Sequence, residues 1–251
     1  VLVPWGGDMS DYEGAVVRGA WDYILDRNAF LDWAKTVPKL ANPFEVLCWN
    51  TDKRYLRELE ASGIPVVTTQ WSDVPGWSLP DGPFVVKPAV SAGGRNSARY
   101  GGRADGDTAR AHVAALEAAG DVAMIQPFVP SVDTVGETGT YVFGGRVSHA
   151  IRKGGVLQEG APASADLNMG SLDTVTGRAV DPSLASFALD VLAASPGPCL
   201  YARVDTVADE DGSPMLMELE VAEPYLFLAR AEDPAAAADR FAAAVAAWLA
   251  T

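Results

Sequence analysis

Cysteine and histidine are scarce in this 251-residue chain, with two of each. Cys48 and Cys199 lie far apart, each in an apolar stretch. They are expected to be ordinary buried thiols, which fits a cytoplasmic location and excludes a disulfide framework. His112 and His149 have no metal-ligand spacing, so a zinc site is excluded and both histidines are expected to be structural. Positive charge is also short. There are 19 Lys and Arg against 33 Asp and Glu, for a net charge of −14. That balance argues against nucleic acid as a partner, but leaves room for a small anion in a local basic pocket. No apolar run reaches the ~18 residues of a membrane span, and no secretory signal or internal repeat is visible. What is present suffices for a core. The chain is 49% hydrophobic, enough for one large domain or a few small subdomains. The 24 glycines and 17 prolines are spread along it, so disorder is not indicated.

The most informative stretch lies near the C-terminus. Leu200 to Val207 and Pro214 to Val221 both read as strands, and Asp209-Glu210-Asp211-Gly212-Ser213 between them is turn chemistry. Side chains alternate faces along a strand, so Arg203 shares a face with Asp205, and Glu218 with Glu220. A turn centred near Asp211–Gly212 sets Asp205 opposite Glu218 and Arg203 opposite Glu220. Like charges directly opposite are destabilising, and a divalent cation would remove that cost. A solvated hairpin whose Arg203 neutralises the acids is the other reading.

The remaining pattern mixes helices, strands and hairpins, which predicts α+β subdomains rather than a doubly wound sheet. Gly14 to Gly19 reads as a short buried strand, and Asp26 as the cap of a helix to about Val37. Asn42-Pro43 breaks the chain. A second helix is expected from Asn50-Thr51 to Ser62, closed by Gly63. Strands are expected at Ile64–Thr68, Phe84–Pro88 and Val122–Gln126, with a helix from an Asp107 cap to Ala119. Thr138–Phe143 and Arg146–Lys153 form a hairpin about Gly144-Gly145. Gly154 to Val180 is irregular and glycine-rich, expected as a lid or ligand loop. Ser183–Ala194 and Ala235–Leu249 read as helices.

Several residues outside the hairpin invite chemistry. Lys87 ends an apolar strand, where an unpaired ammonium needs an anion. The loop Ser91 to Asn96 follows, and its glycines would let backbone N–H groups approach phosphate oxygens. Lys53 starts its expected helix, an unfavourable place for a cation unless it reaches an anion. Gln126-Pro127-Phe128-Val129 is an extended link that offers backbone groups to a flat heterocycle, or simply joins two subdomains. Glu137 lies shortly after it.

Taken in order, Asn50-Thr51-Asp52-Lys53, Val85-Val86-Lys87-Pro88, Gln126 to Val129, Gly136-Glu137, Arg203-Val204-Asp205 and Glu218-Leu219-Glu220 resemble the ATP-grasp superfamily. The resemblance runs from about Asp11 to Phe227. It implies an ATP-grasp fold with ATP between two α+β subdomains. Residues 51–127 would be the central subdomain, 128–251 the C-terminal one with the metal site, and 1–50 an incomplete N-terminal subdomain. By the same resemblance Lys53 and Lys87 hold the phosphates, with Ser91, Gly93 and Gly94 in the closing loop. Gln126, Phe128 and Val129 form the adenine hinge, and Glu137 holds the ribose. Asp205, Glu218 and Glu220 ligate Mg2+, with Glu220 standing where the family usually has Asn. Arg203 matches the arginine that steadies the acyl-phosphate in related ligases, and Arg152 is expected to assist from the neighbouring strand.

Such ligases phosphorylate a carboxylate, and a nitrogen nucleophile then displaces phosphate. The chemistry is positioning and electrostatics, and needs no Ser or Cys nucleophile. Arg18-Gly19-Ala20-Trp21-Asp22-Tyr23 followed by Asn50 to Lys53 resembles a bacterial subgroup that includes O-ureido-D-serine cyclo-ligases. This implies a small, amino-acid-like substrate and a ring closed intramolecularly. A small-molecule kinase of the same superfamily, and a nucleotide-binding subunit without turnover, stay open as alternatives.

Overall fold

Strand-forming runs separate into two antiparallel sheets in the computed structural model, which describes residues 1–166 and 174–251. The smaller sheet contains β1 (Gln70–Trp71), β2 (Phe84–Pro88), β3 (Ala98–Tyr100) and β4 (Ala123–Pro127), in the order β1-β4-β2-β3. The larger contains β5 (Glu137–Phe143), β6 (Arg146–Lys153), β7 (Thr176–Arg178), β8 (Tyr201–Ala208) and β9 (Pro214–Glu220), in the order β7-β6-β5-β8-β9. The helices are α1 (Arg27–Ala34), α2 (Phe44–Asn50), α3 (Tyr55–Ala61), α4 (Gly106–Ala118), α5 (Ser131–Thr134), α6 (Pro182–Ala193) and α7 (Pro234–Leu249). The architecture is α+β, as the mixed pattern predicts. Leu56 and Leu59 of α3, Met124 of β4, and Val204 and Leu219 of the hairpin share one buried cluster, which ties the sheets together. Val113 and Leu116 of α4 cover the small sheet at Phe84, Val86 and Ile125. Among the described residues no helix is long and apolar enough to cross a membrane.

Local signals set most boundaries. Asp26 caps α1 by accepting from Ala29 N at 2.9 Å. That helix ends at Ala34 rather than Val37, where the Thr36 hydroxyl turns back to Trp33 O at 2.7 Å. The helix expected from Asn50 to Ser62 starts later, at Tyr55, and a separate helix, α2, ends where it was expected to begin. Pro43 stands at the N-cap of α2, so it opens a helix, and Thr51 to Arg54 turn before α3. Gly63, at φ +88°, terminates α3 as expected. The cap of α4 is Asp105, not Asp107. Gly14–Gly19 is no strand; among the described residues its one bridge is Ala15 to Leu40. Ile64–Thr68 likewise makes one bridge, Val66 to Leu216. The segment from Gly154 to Val180 contains β7, and its residues 167–173 lie outside the described ones.

The β8–β9 hairpin has the expected register, Arg203 opposite Glu220 and Asp205 opposite Glu218. Asp209 Oδ1 fixes its turn by accepting from Asp211 N at 2.9 Å and Ser213 N at 2.7 Å. β9 is an edge strand, and its free backbone groups are taken by the N-terminal half of the chain. Pro65 O accepts from Leu216 N at 2.8 Å, and Leu216 O accepts from Val67 N at 3.0 Å. Tyr55 Oη contacts Leu219 N at 2.8 Å and O at 3.0 Å. Asn50 donates to Leu219 O at 2.7 Å and accepts from Val221 N at 3.0 Å. These bonds cover the edge and hold the hairpin rigid. Asn50→Ala strands the Val221 N–H, while Leu219 O keeps Tyr55 Oη, and should cost about 1–3 kcal/mol in chemical denaturation. A variant of wild-type stability would show that the edge needs no such cover.

Candidate active site

The charged face of the hairpin opens onto a cleft of about 290 Å³, lined from both sheets and by Trp21 and Tyr23 near the N-terminus. Asp205 is fully buried there. Its Oδ1 accepts from Arg203 Nε at 2.8 Å, and its Oδ2 from Arg203 Nη2 at 2.8 Å and Lys153 Nζ at 2.7 Å. Arg203 Nη2 also donates to Glu220, and Lys153 also pairs with Glu137 Oε2 at 2.9 Å. Gly139 sits opposite Asp205 on β5, and a Cβ there would lie 2.9 Å from Asp205 Oδ1 and 3.0 Å from Arg203 Cδ. A glycine at that place makes room for the buried pair. Burial works against the charge of Asp205, but Arg203 and Lys153 hold its carboxyl below the ordinary range.

Lys53 Nζ donates to Ser91 O at 2.5 Å, lies 3.1 Å from Ser91 Oγ, and pairs with Glu218 Oε1 at 3.2 Å. It therefore reaches an anion, as its position required. It also pins the start of the glycine loop, where Gly93 and Gly94 take φ +58° and +69°. Burial raises the Glu218 carboxyl while Lys53 and Lys87 lower it, and lowering wins. The repulsion expected between Asp205 and Glu218 is thus met by side-chain cations of the chain itself.

Arg152 does not join this group. It lies on the opposite face of β6 and donates through Nε to Val135 O at 2.6 Å. An unbroken hairpin about Gly144-Gly145 would place Arg152 opposite Glu137. A bulge between the Tyr141 and Val142 pairings shifts the register by one residue and puts Lys153 there instead. Lys153 is the residue that the alternation pattern missed.

On the other side of the cleft, Gln126 Nε2 donates to Thr69 Oγ1 at 2.8 Å. Phe128 and Val129 line the wall, and the guanidinium of Arg99 stacks 3.4 Å over the Phe128 ring. The Phe128 N–H is already committed to Pro83 O at 2.8 Å. Val129 O accepts from Val132 N at 3.1 Å, so among the described residues the Val129 N–H and the Phe128 carbonyl are left to serve as backbone partners at this point of the wall. The histidines are structural, as expected. His112 contacts Tyr100 Oη and Asn96 O, and His149 contacts Leu226 O at 2.9 Å. The cysteines are free and half-buried rather than fully buried, and burial pushes the Cys199 thiol up to about 11, so it is no nucleophile.

Two charged groups in the cleft have no ion pair or hydrogen bond among the described residues, Lys87 and Glu223. Burial lowers the Lys87 ammonium, with Glu218 acting against that. Glu223 is 5% exposed, and burial together with nearby Glu220 pushes its carboxyl up to about 8. Between 4.5 and 8 the unfolded carboxyl is ionised while the folded one keeps its proton. Stability of the ligand-free protein should therefore fall as pH rises through that window. Glu223→Gln should flatten the slope in thermal melts across it; an unchanged slope would assign the titration elsewhere.

The acids here suit Mg2+, which takes hard oxygen donors and commonly uses one or two carboxylates with phosphate oxygens. Glu218 and Glu220 face the cleft. Asp205 does not fit as a ligand in this arrangement, since Arg203 and Lys153 occupy both its oxygens. Among the described residues no three His, Cys, Asp or Glu side chains converge on one metal position.

Comparison with known proteins gives a consistent picture. Residues 1–44 match the family model of the N-terminal domain of D-cycloserine synthetase DcsG. The chain is 35% identical to the cycloserine biosynthesis protein DcsG of Streptomyces lavendulae, over 95% of this chain and 84% of that protein. It superposes on a crystal structure of D-cycloserine synthetase DcsG with a TM-score of 0.85 and 34% identity, covering 97% of this chain and 86% of that one. A D-alanine–D-alanine ligase from Bacillus anthracis complexed with ATP shares the fold, with a TM-score of 0.56 at 14% identity over 82% of this chain and 70% of that one.

Proposed function

The chain belongs to the D-cycloserine synthetase family of ATP-grasp ligases, and we propose that it activates the carboxylate of O-ureido-D-serine with ATP and closes the D-cycloserine ring. The observation that carries this reading is the set of cations gathered at one end of the cleft. Lys53, Lys153 and Arg203 are held in place by acids, and Lys87 is left without a partner among the described residues. Such a group is built for phosphate charge.

Lys87 and Lys53 hold the phosphates, and Ser91 to Gly94 close over them. Val129 N–H and Phe128 O meet the adenine, with Gln126 beneath, and Glu137 takes the ribose. Glu218 and Glu220 would hold Mg2+, which would neutralise phosphate charge there. A phosphate oxygen competing for Lys153 would free one acceptor site on Asp205 Oδ2, with Arg203 still bound to both its oxygens. Arg203 lies between Asp205 and Glu220, and its guanidinium fork steadies the oxyanion that forms at the activated carboxyl carbon. The internal nitrogen bonded to the side-chain oxygen then displaces phosphate and closes the ring, and water removes the carbamoyl group on that nitrogen as carbon dioxide and ammonia to leave D-cycloserine. The activity fits a cytoplasmic enzyme that draws on cellular ATP.

ADP release with O-ureido-D-serine, followed by mass spectrometry of the product, tests the reading. Stoichiometric ADP and D-cycloserine are expected. ADP with a stable phosphorylated acid would make the protein a kinase. No release with this substrate would withdraw the assignment.

A further inference from the structure

We propose that Glu223, beside the aromatic wall of Trp21 and Tyr225, is the subsite that binds the α-ammonium group of the amino-acid substrate. The inference deepens the ligase reading above and rests on it for the identity of the ligand.

The charges of the cleft supply the first argument. Lys53 is matched by Glu218, Lys153 by Glu137 and Asp205, and Arg203 by Asp205 and Glu220. After these pairs two groups remain without a partner among the described residues, the Lys87 ammonium and the Glu223 carboxyl, which keeps its proton until a cation arrives. A buried charge without a partner is costly unless a ligand supplies the complement. Lys87 calls for an anion and Glu223 for a cation. The nucleotide carries no cationic group, so the cation belongs to the second substrate. An amino acid has one, next to the carboxylate that is to be activated.

Position supplies the second. Glu223 is nine-tenths buried or more, yet it lines the cleft directly after β9, just beyond Glu220. Its backbone cannot drift. Val221 is held by Asn50 and Asn42, Ala222 O accepts from Tyr201 Oη at 3.1 Å, and Tyr225 O accepts from Tyr141 Oη at 2.6 Å. A carboxylate fixed this way is a preorganised acceptor rather than an adaptable surface acid. Trp21 and Tyr225 stack at 6.2 Å and line the same cleft, Tyr225 two residues beyond Glu223. Aromatic faces beside a carboxylate favour an ammonium over a neutral or anionic group. The raised carboxyl agrees, since a cation arriving there would favour the ionised form.

The geometry also orients the substrate. Arg203 and Glu223 both line the cleft. A zwitterion lying between them sends its carboxylate toward Arg203 and its ammonium toward Glu223.

The test compares O-ureido-D-serine with its des-amino analogue, in which hydrogen replaces the ammonium. Calorimetry with a non-hydrolysable ATP analogue present measures both, in the wild type and in Glu223→Gln. The wild type should prefer the amino compound by about 30-fold. Glu223→Gln should erase that preference while keeping affinity for the des-amino compound and for the ATP analogue, and Glu223→Asp should restore part of it. The inference falls if the variant keeps the preference, if it loses both ligands equally, or if the wild type does not distinguish them. ADP release measured in parallel separates the two readings. Preference that depends on Glu223 without turnover keeps the subsite and removes the ligase assignment. Turnover with preference independent of Glu223 does the reverse.

Discussion

Lys87→Ala should weaken ATP binding by about 100-fold or more while leaving the protein folded. The ammonium stands at the end of β2, partly exposed to the cleft, with no hydrogen bond or ion pair among the described residues. Among the described residues it makes no ion pair, so its removal loses only through-space attraction, chiefly to Glu218, against which stands the relief of a desolvated ammonium. Its value appears only when phosphate oxygens arrive. Melting temperature without ligand should hold or rise slightly, and calorimetry should show the loss. Lys53→Ala would be a poorer probe, because Lys53 also secures Ser91 and Glu218. Unchanged nucleotide affinity in Lys87→Ala would remove Lys87 from the site.

Arg203→Met should raise the barrier to turnover by about 2–4 kcal/mol, the range for removing one oxyanion donor. ATP affinity should stay near normal, because the residue acts on the substrate's carboxyl carbon. A second cost follows from the burial of the pair. Arg203 makes both of its Asp205 bonds inside the protein and reaches Glu220 as well. Breaking a buried pair of this kind typically costs about 3–5 kcal/mol of stability. Assays therefore belong well below the variant's own melting temperature. Arg203→Lys should recover part of both effects, since it returns charge without the bidentate fork. Wild-type turnover in folded Arg203→Met would reduce the residue to a counter-ion of the hairpin and withdraw this face as the site.

The hairpin was legible in the sequence because two local rules agree there. Turn residues at Asp209 to Ser213 set the register, and period-two alternation set the faces. Phe84–Pro88 and the Gly144-Gly145 hairpin were legible for the same reasons. Lys153 was not, because the bulge in β6 moves every later side chain to the other face, and no residue type near Ser148 announces it. What neutralises Asp205 was hidden for a related reason. Alternation can set two acids opposite each other, but it cannot show a lysine reaching across β5 from β6. Glu223 lies beyond the strand end, where periodicity stops. Its burial depends on Asn42, Asn50, Tyr141 and Tyr201, which are distant in sequence. Ile64–Thr68 has strand composition, yet Pro65 lacks an N–H and the segment gains a single bridge.

The central claim is that this cleft activates a carboxylate by phosphorylating its oxygen. Substrate carrying heavy oxygen in the carboxyl group decides it directly. Mass analysis of the inorganic phosphate after turnover should find one labelled oxygen per phosphate, carried over when the nitrogen displaces the acyl-phosphate. Phosphate free of label, with product formed, would show that the carboxylate was never phosphorylated and would contradict the account.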